Sequence, residues 1–216
     1  MRKIFFAILF SFTSFVVFSQ YGRRDANRIG ITAGVNQFTL NGSNFNNKAG
    51  LGWNAGLSVR GNFYNDFDMV YAMQFSENTF TVSTIKTIAK EEVKYKLDGA
   101  QFALQLSYKI IENNLSVEIG PTVQIHGKFT IDKDNEDNDV MLDNGTSVKA
   151  KKLTDIAMFD FYPSVGITAG VRHLRANIQY QYCVNNMLGH FNSNNSSYSS
   201  FKANPGILSA NFIIYL

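Results

Sequence analysis

Eight stretches in which apolar and polar residues alternate strictly, separated by gaps that are alternately very short and long, constrain this chain more than any single motif. One parity of residues 51–63 reads Leu51, Trp53, Ala55, Leu57, Val59, Gly61, Phe63, against Gly52, Asn54, Gly56, Ser58, Arg60, Asn62 on the other. Residues 115–129 repeat the pattern, with Leu115, Val117, Ile119, Pro121, Val123, Ile125 and Phe129 set against Ser116, Glu118, Gly120, Thr122, Gln124, His126 and Lys128. A strand in a soluble domain has about 5–6 residues. A tilted strand crossing a bilayer needs about 9–11, so these lengths predict strands built for lipid.

The gaps give the layout. Tight turns are expected at Asn65-Asp66, Asn113-Asn114 and Arg172-His173, because Asn and Asp tolerate left-handed backbone. Long polar connections are expected at residues 41–49, 130–152 and 185–206, and between the third and fourth strands. An even strand number with short turns at one end and long loops at the other predicts an all-β fold, an eight-stranded antiparallel up-and-down transmembrane β-barrel. Both strand termini then lie at the short-turn end. A soluble eight-stranded barrel would show its polar parity to water. Here the apolar parity carries Phe, Trp, Tyr, Leu and Ile at nearly every position, and aromatics gather toward strand ends. Phe63, Phe67 and Tyr108 mark one expected girdle; Trp53, Phe75, Phe102, Phe129 and Phe159 mark the other. Outward parity is expected to shift between Phe75 and Phe80 and again between Leu97 and Phe102, as if both strands cross the membrane rim there, so residues 79–85 and 92–97 are expected to pair as a hairpin protruding past it.

Residues 1–19 read as a signal peptide: Arg2 and Lys3, an apolar run from Ile4 to Phe18, and small or apolar Val17 and Ser19 before Gln20. Residues 20–216 then form one domain. The net charge of +3 falls by two when Arg2 and Lys3 leave, a balance that gives no argument for nucleic acid, and no nucleic-acid partner is expected. Cys183 is the single cysteine, so no intramolecular disulfide forms.

The leader, the run Gly30 to Asn36 (GITAGVN), the run Gly50 to Ser58 (GLGWNAGLS) and the final apolar strand resemble the outer-membrane β-barrel domain family labelled "porin family" or PorT-like. The resemblance implies an eight-stranded barrel in the cell outer membrane. The family's name-giving member belongs to a type IX secretion apparatus. Leu216 stands where such barrels often end in an aromatic residue.

Candidate chemistry is sparse. Arg60, Asp68, Lys109, Glu118 and Arg175 share the inward parity near the short-turn end, and an isolated interior charge is costly, so a paired lumen charge cluster is expected. His126, His173 and His190 lack metal-ligand spacing, and the acidic run Asp132, Asp134, Glu136, Asp137, Asp139, Asp143 fits an EF-hand poorly. No catalytic residue, metal or cofactor is expected. The leading expectation is a non-enzymatic integral barrel with a structural or partner-docking role, bordered by outer-membrane lipid and lipopolysaccharide and open to an envelope protein complex. The alternatives are a narrow porin-like channel and a lipid A-modifying enzyme using His190 with Ser193, Ser196 or Ser197.

Overall fold

In the computed structural model, which describes residues 27–42, 45–86, 89–142, 147–189 and 202–216, the alternating segments are strands. They run β1 (Arg28–Gly42), β2 (Asn47–Tyr64), β3 (Phe67–Lys86), β4 (Ala89–Ile111), β5 (Leu115–His126), β6 (Asp139–Met141), β7 (Ser147–Lys149), β8 (Phe159–Gly170), β9 (Leu174–Tyr182) and β10 (Ala203–Tyr215). The leader, Asp143, His190, Ser193, Ser196, Ser197 and the polar tip 192–200 lie outside the described residues.

The expectation of an eight-stranded up-and-down barrel is corrected. Among the described residues ten strands form one sheet in the order β2-β1-β10-β9-β8-β5-β4-β3-β6-β7, with β2 also pairing β3. The extra strands sit inside the connection expected to be an irregular loop. β6 extends the outer edge of β3 through Thr84↔Val140 and Ile85↔Asp139, and β7 follows β6. The β2–β3 seam that returns the pairing to its start is uneven, with register shifts between Ala49 and Trp53 and between Asn62 and Tyr64. Strands of three residues carry too little alternation to be seen in a sequence, and their acidic flanks read as solvated loop.

The tight turns have the backbone their residues favour. Asn65 and Asn113 have φ of 46° and 61°, the left-handed region that Asn tolerates. Gly170 has φ 152°, and a Cβ there would meet the Leu174 carbonyl oxygen at 2.3 Å, so glycine is required as the chain leaves β8.

One relation organises the interior. Along β3 the even-numbered residues from Asp68 to Thr84 face inward without a break. Along β4 the odd-numbered residues face inward. The β3–β4 register runs from Phe67↔Tyr108 to Lys86↔Ala89 with no bulge. The parity change anticipated near Phe75–Phe80 is therefore no change of facing; the residues change, not the backbone. Below the change, inward positions are Gln74, Ser76 and Asn78, while Tyr71, Met73 and Phe75 point out. Above it, Phe80 and Val82 point in, with Ser83 outside. β4 mirrors this: Gln101, Gln105 and Ser107 are buried on the lower part, Val93, Tyr95 and Leu97 on the upper.

β1 and β10 invert at the same height, from buried Asn36 to buried Phe38 and from Ser209 to Ile207, with Phe38 registered against Ile207. The molecule thus has a lower wall, polar within and apolar without, and an upper cap, apolar within and polar without.

Candidate functional site

The lower wall is filled rather than open. Arg60 on β2 reaches across the interior, where its Nη1 donates to Asp68 Oδ2 on β3 at 3.2 Å and to Ser107 Oγ on β4 at 2.8 Å. Its Nη2 donates to Glu118 Oε1 on β5. Lys109 Nζ lies 3.5 Å from Asp68 Oδ1, and Asn177 Nδ2 on β9 donates to Glu118 Oε2 at 3.1 Å. Four of the five residues singled out from inward parity are thereby brought together. Arg175 is buried but stands apart: its Nη2 donates to the Asn113 carbonyl at 3.1 Å, and no described carboxylate ion-pairs with it. β2, β3, β4, β5 and β9 supply these groups at neighbouring depths because inward positions recur every second residue and the strands are paired in register.

Above the charges lies a layer of amides. Asn54 Nδ2 donates to Asn36 Oδ1 at 2.7 Å, and Asn36 Nδ2 donates to Asn78 Oδ1 at 3.1 Å. Gln101 bonds Gln74, and Gln105 donates to Ser164 at 2.7 Å. The space these side chains leave is a cavity of about 30 Å³ lined by residues including Gln74, Gln105, Gln179 and Asn211. A volume of that order holds about one water. A second cavity, about 20 Å³, lies beside Arg28, Arg60, Asp68 and Glu112 at the short-turn mouth.

At the height where polarity inverts, His126 on β5 meets Asp160 on β8. His126 Nε2 lies 2.8 Å from Asp160 Oδ2, and Nδ1 lies 2.9 Å from the Gly127 carbonyl. Asn185, just past β9, donates to Asp160 Oδ1 at 2.6 Å and to the Phe159 carbonyl at 3.0 Å, and accepts from the Phe161 N–H. These contacts tie β5, β8 and the start of the β9–β10 connection together below the cap. Cys183 lies in the same place, buried, with Sγ 3.2 Å from the Asn185 carbonyl oxygen.

The cap core draws on segments far apart in sequence. Phe80 stacks on Tyr95 with ring centroids 5.0 Å apart, Phe129 meets Phe80 edge-on at 4.9 Å, and Phe38 lies 5.7 Å away. Val140, Val148, Leu153, Met187 and Leu188 belong to the same buried cluster as these rings. Burying side chains of this size contributes about 1.5–3 kcal/mol each. Tyr95 Oη donates to the Ala150 carbonyl at 3.0 Å, fixing the 3-10 turn after β7 over the ring cluster, and burial pushes the Tyr95 phenol pKa above its ordinary range.

Phe129 was expected in the outward girdle and is instead 4% exposed in this core; the chain leaves β5 at His126, so the alternation behind that expectation ends three residues earlier. Trp53, Phe75, Phe102 and Phe159 are exposed as expected. The acidic connection is held by ion pairs, Asp139 with Lys149 at 3.0 Å and Glu136 with Lys151 at 2.6 Å. Sequence reasoning missed Asp160, Asn185 and the cap core. Asp160 follows the inward parity of β8 and was visible on that ground; the apolar residues at 140, 148, 153 and 187 have no periodicity to betray them.

No protein-family model matches the chain, and no curated protein does, so the PorT-like resemblance finds no support there. Among solved structures, Neisserial surface protein A is 10% identical, with 87% of this chain and 96% of that one covered at a TM-score of 0.44. Ail, the attachment invasion locus protein of Yersinia pestis, is 12% identical, with 88% and 97% covered at 0.44. The translocator domain of the autotransporter NalP from Neisseria meningitidis is 8% identical, with 92% of each chain covered at 0.26. At such identities and scores, nothing about those proteins' activities carries over.

Proposed function

We propose that this chain is a non-enzymatic integral protein of the outer membrane, seated in lipid by its lower wall and working through its cap as a structural or partner-docking face. The observation that carries the reading is the inversion of polarity along unbroken strands. On the lower wall Ile31, Leu57, Tyr71, Ile119, Ile178 and Phe212 point outward with 54 to 68% of their surface exposed. So continuous an apolar surface is unstable in water and suits hydrocarbon. Above it the same strands bury their apolar residues, as a water-facing domain does. No helix among the described residues is long and apolar enough to cross a membrane; in this reading the strands do the spanning.

The interior favours a filled support over a conduit. The charged layer of Arg60, Asp68, Lys109 and Glu118 crosses the interior, amides fill the space above it, and the cap core closes the far end. The cap borders the outer-leaflet lipopolysaccharide and presents ordered strands to the outside, which supports docking of an envelope protein. The test is fractionation: the processed chain is expected to stay with outer membranes after carbonate washing and to show heat-modifiable gel mobility. Recovery in the soluble periplasm overturns the reading, and a large steady conductance in planar bilayers overturns the filled interior.

A further inference from the structure

The cap hairpin has two edges, and they differ. The β3 edge is covered to its tip: β2 pairs it up to Asn47↔Val82, Ser83 N–H donates to the Asn46 carbonyl at 3.1 Å, and β6 then takes Thr84 and Ile85. The β4 edge is covered only partway. β5 pairs it up to Gly99↔His126, Gly127 N–H donates to the Asp98 carbonyl at 3.2 Å, and Lys96 and Thr130 exchange two backbone hydrogen bonds of 2.9 Å. Beyond that bridge no described strand follows.

Peptide groups along a strand point alternately to either side. Since those of Lys96 face Thr130, those of Lys94, Glu92 and Lys90 point off the same edge, and none has a backbone partner there among the described residues. The side chains of the same three residues are exposed on the outer face. Glu92, the lone acid among them, is engaged by Lys48 from β2. Lys90 and Lys94 form no ion pair with a described carboxylate. The edge therefore offers three consecutive outward peptide units flanked by two free cations four residues apart.

We propose that this β4 edge, Lys90 to Lys94, accepts an extended segment of another polypeptide as an added strand, with carboxylates opposite Lys94 and Lys90 and a neutral residue opposite Glu92. Residues directly opposite in a ladder point to the same face, so acids four positions apart on the incoming strand meet both lysines. Backbone pairing supplies the attraction and the charge spacing supplies the choice of partner. Lysine on an edge also discourages indiscriminate pairing, and here the same lysines admit acidic strands while repelling basic ones. The inference rests on the cap being a docking face, and its test does not depend on membrane residence.

The probe is a fluorescent heptapeptide with Glu at its second and sixth positions, Val at the third and fifth, and Thr elsewhere, titrated against the full chain in detergent micelles. It is expected to bind at least about tenfold more tightly than the same peptide carrying Lys in place of Glu, and to slow amide exchange at Glu92 and Lys94. Lys94→Pro removes one outward N–H while leaving the β3 ladder intact, as proline at an edge does, and is expected to weaken binding about tenfold. The double variant Lys90→Glu with Lys94→Glu keeps every backbone group and is expected to reverse the preference toward the Lys peptide. Equal affinity for the two peptides, unchanged binding by Lys94→Pro, or no binding at about 1 mM overturns the proposal and leaves the lysines as edge guards. Failure here leaves carbonate-resistant membrane association untouched, so the two readings fail separately.

Discussion

The lower and upper parts of β3 are one strand solving opposite problems. From Phe67 to Phe75 its outward residues are apolar and its inward residues include Asp68 and Gln74; from Phe80 upward its inward residues include Phe80 and Val82 and its outward residues include Thr81 and Ser83. Facing and register do not change along the way. Strand geometry therefore says only which residues share a face, and the solvent on each side decides which face must be apolar. On the proposed seating, lipid is outside below, and the enclosed space must satisfy polar groups among themselves. Above, water is outside, and the enclosed space is an ordinary hydrophobic core.

The comparison breaks most readily at its charged layer. Arg60→Leu leaves the buried Asp68 and Glu118 without their shared cation, a loss expected to cost about 3–5 kcal/mol. Chemical denaturation in micelles measures it, and a change under about 1 kcal/mol would mean that water reaches the layer. In the cap, Phe80→Ala removes the ring at the centre of the aromatic cluster, and such truncations cost about 3–5 kcal/mol. That loss is expected as protease sensitivity of the cap with the wall still heat-modifiable, since the two cores share no side chains. Collapse of both together would show them to be one cooperative unit.

Lysine placed on the same face of β3 at two heights sharpens the contrast. Tyr71→Lys is expected to destabilise by up to about 2–4 kcal/mol, depending on depth in lipid, and Thr81→Lys by no more than about 0.5 kcal/mol. Equal costs would remove the lipid boundary between them. The smallest effect is a pH dependence confined to the cap. Burial raises the Tyr95 phenol pKa in the folded state, so its contribution is complete below the ordinary tyrosine value of about 10 and is lost as pH rises past it, when the unfolded chain releases a proton that the folded chain retains. Tyr95→Phe is expected to abolish that loss at a cost of about 1 kcal/mol for the bond to Ala150. An unchanged alkaline limb would assign it to another group.

The long strands were legible because alternation is a direct image of facing, and the Asn-containing turns because left-handed backbone selects those residues. The break near Phe75–Phe80 was also visible, but in the sequence it reads as a change in which parity faces outward. Apolar residues turning inward and a strand rotating its faces leave the same pattern, and only the unbroken ladder from Phe67 to Lys86 separates them. Arg60, Asp68, Lys109 and Glu118, which share the inward parity, are joined to one another by hydrogen bonds and ion pairs, whereas Arg175 shares the parity yet sits against the Asn113 turn. The cap core was hidden because residues such as Leu153 and Met187 act in ones and twos within polar connections, and β6 and β7 were hidden for the same reason.

The uninterrupted β3–β4 ladder also acts as a proofreader. A strand slipped by one residue would turn Gln74 toward hydrocarbon and, in the same movement, Phe80 toward water. In a strand with one kind of surroundings, such an error is penalised once. On the proposed seating, two solvents penalise it at opposite ends of the hairpin. The mispaired alternatives nearest in geometry to the native hairpin are thus the ones most strongly disfavoured, and the boundary between lipid and water serves the chain as a ruler.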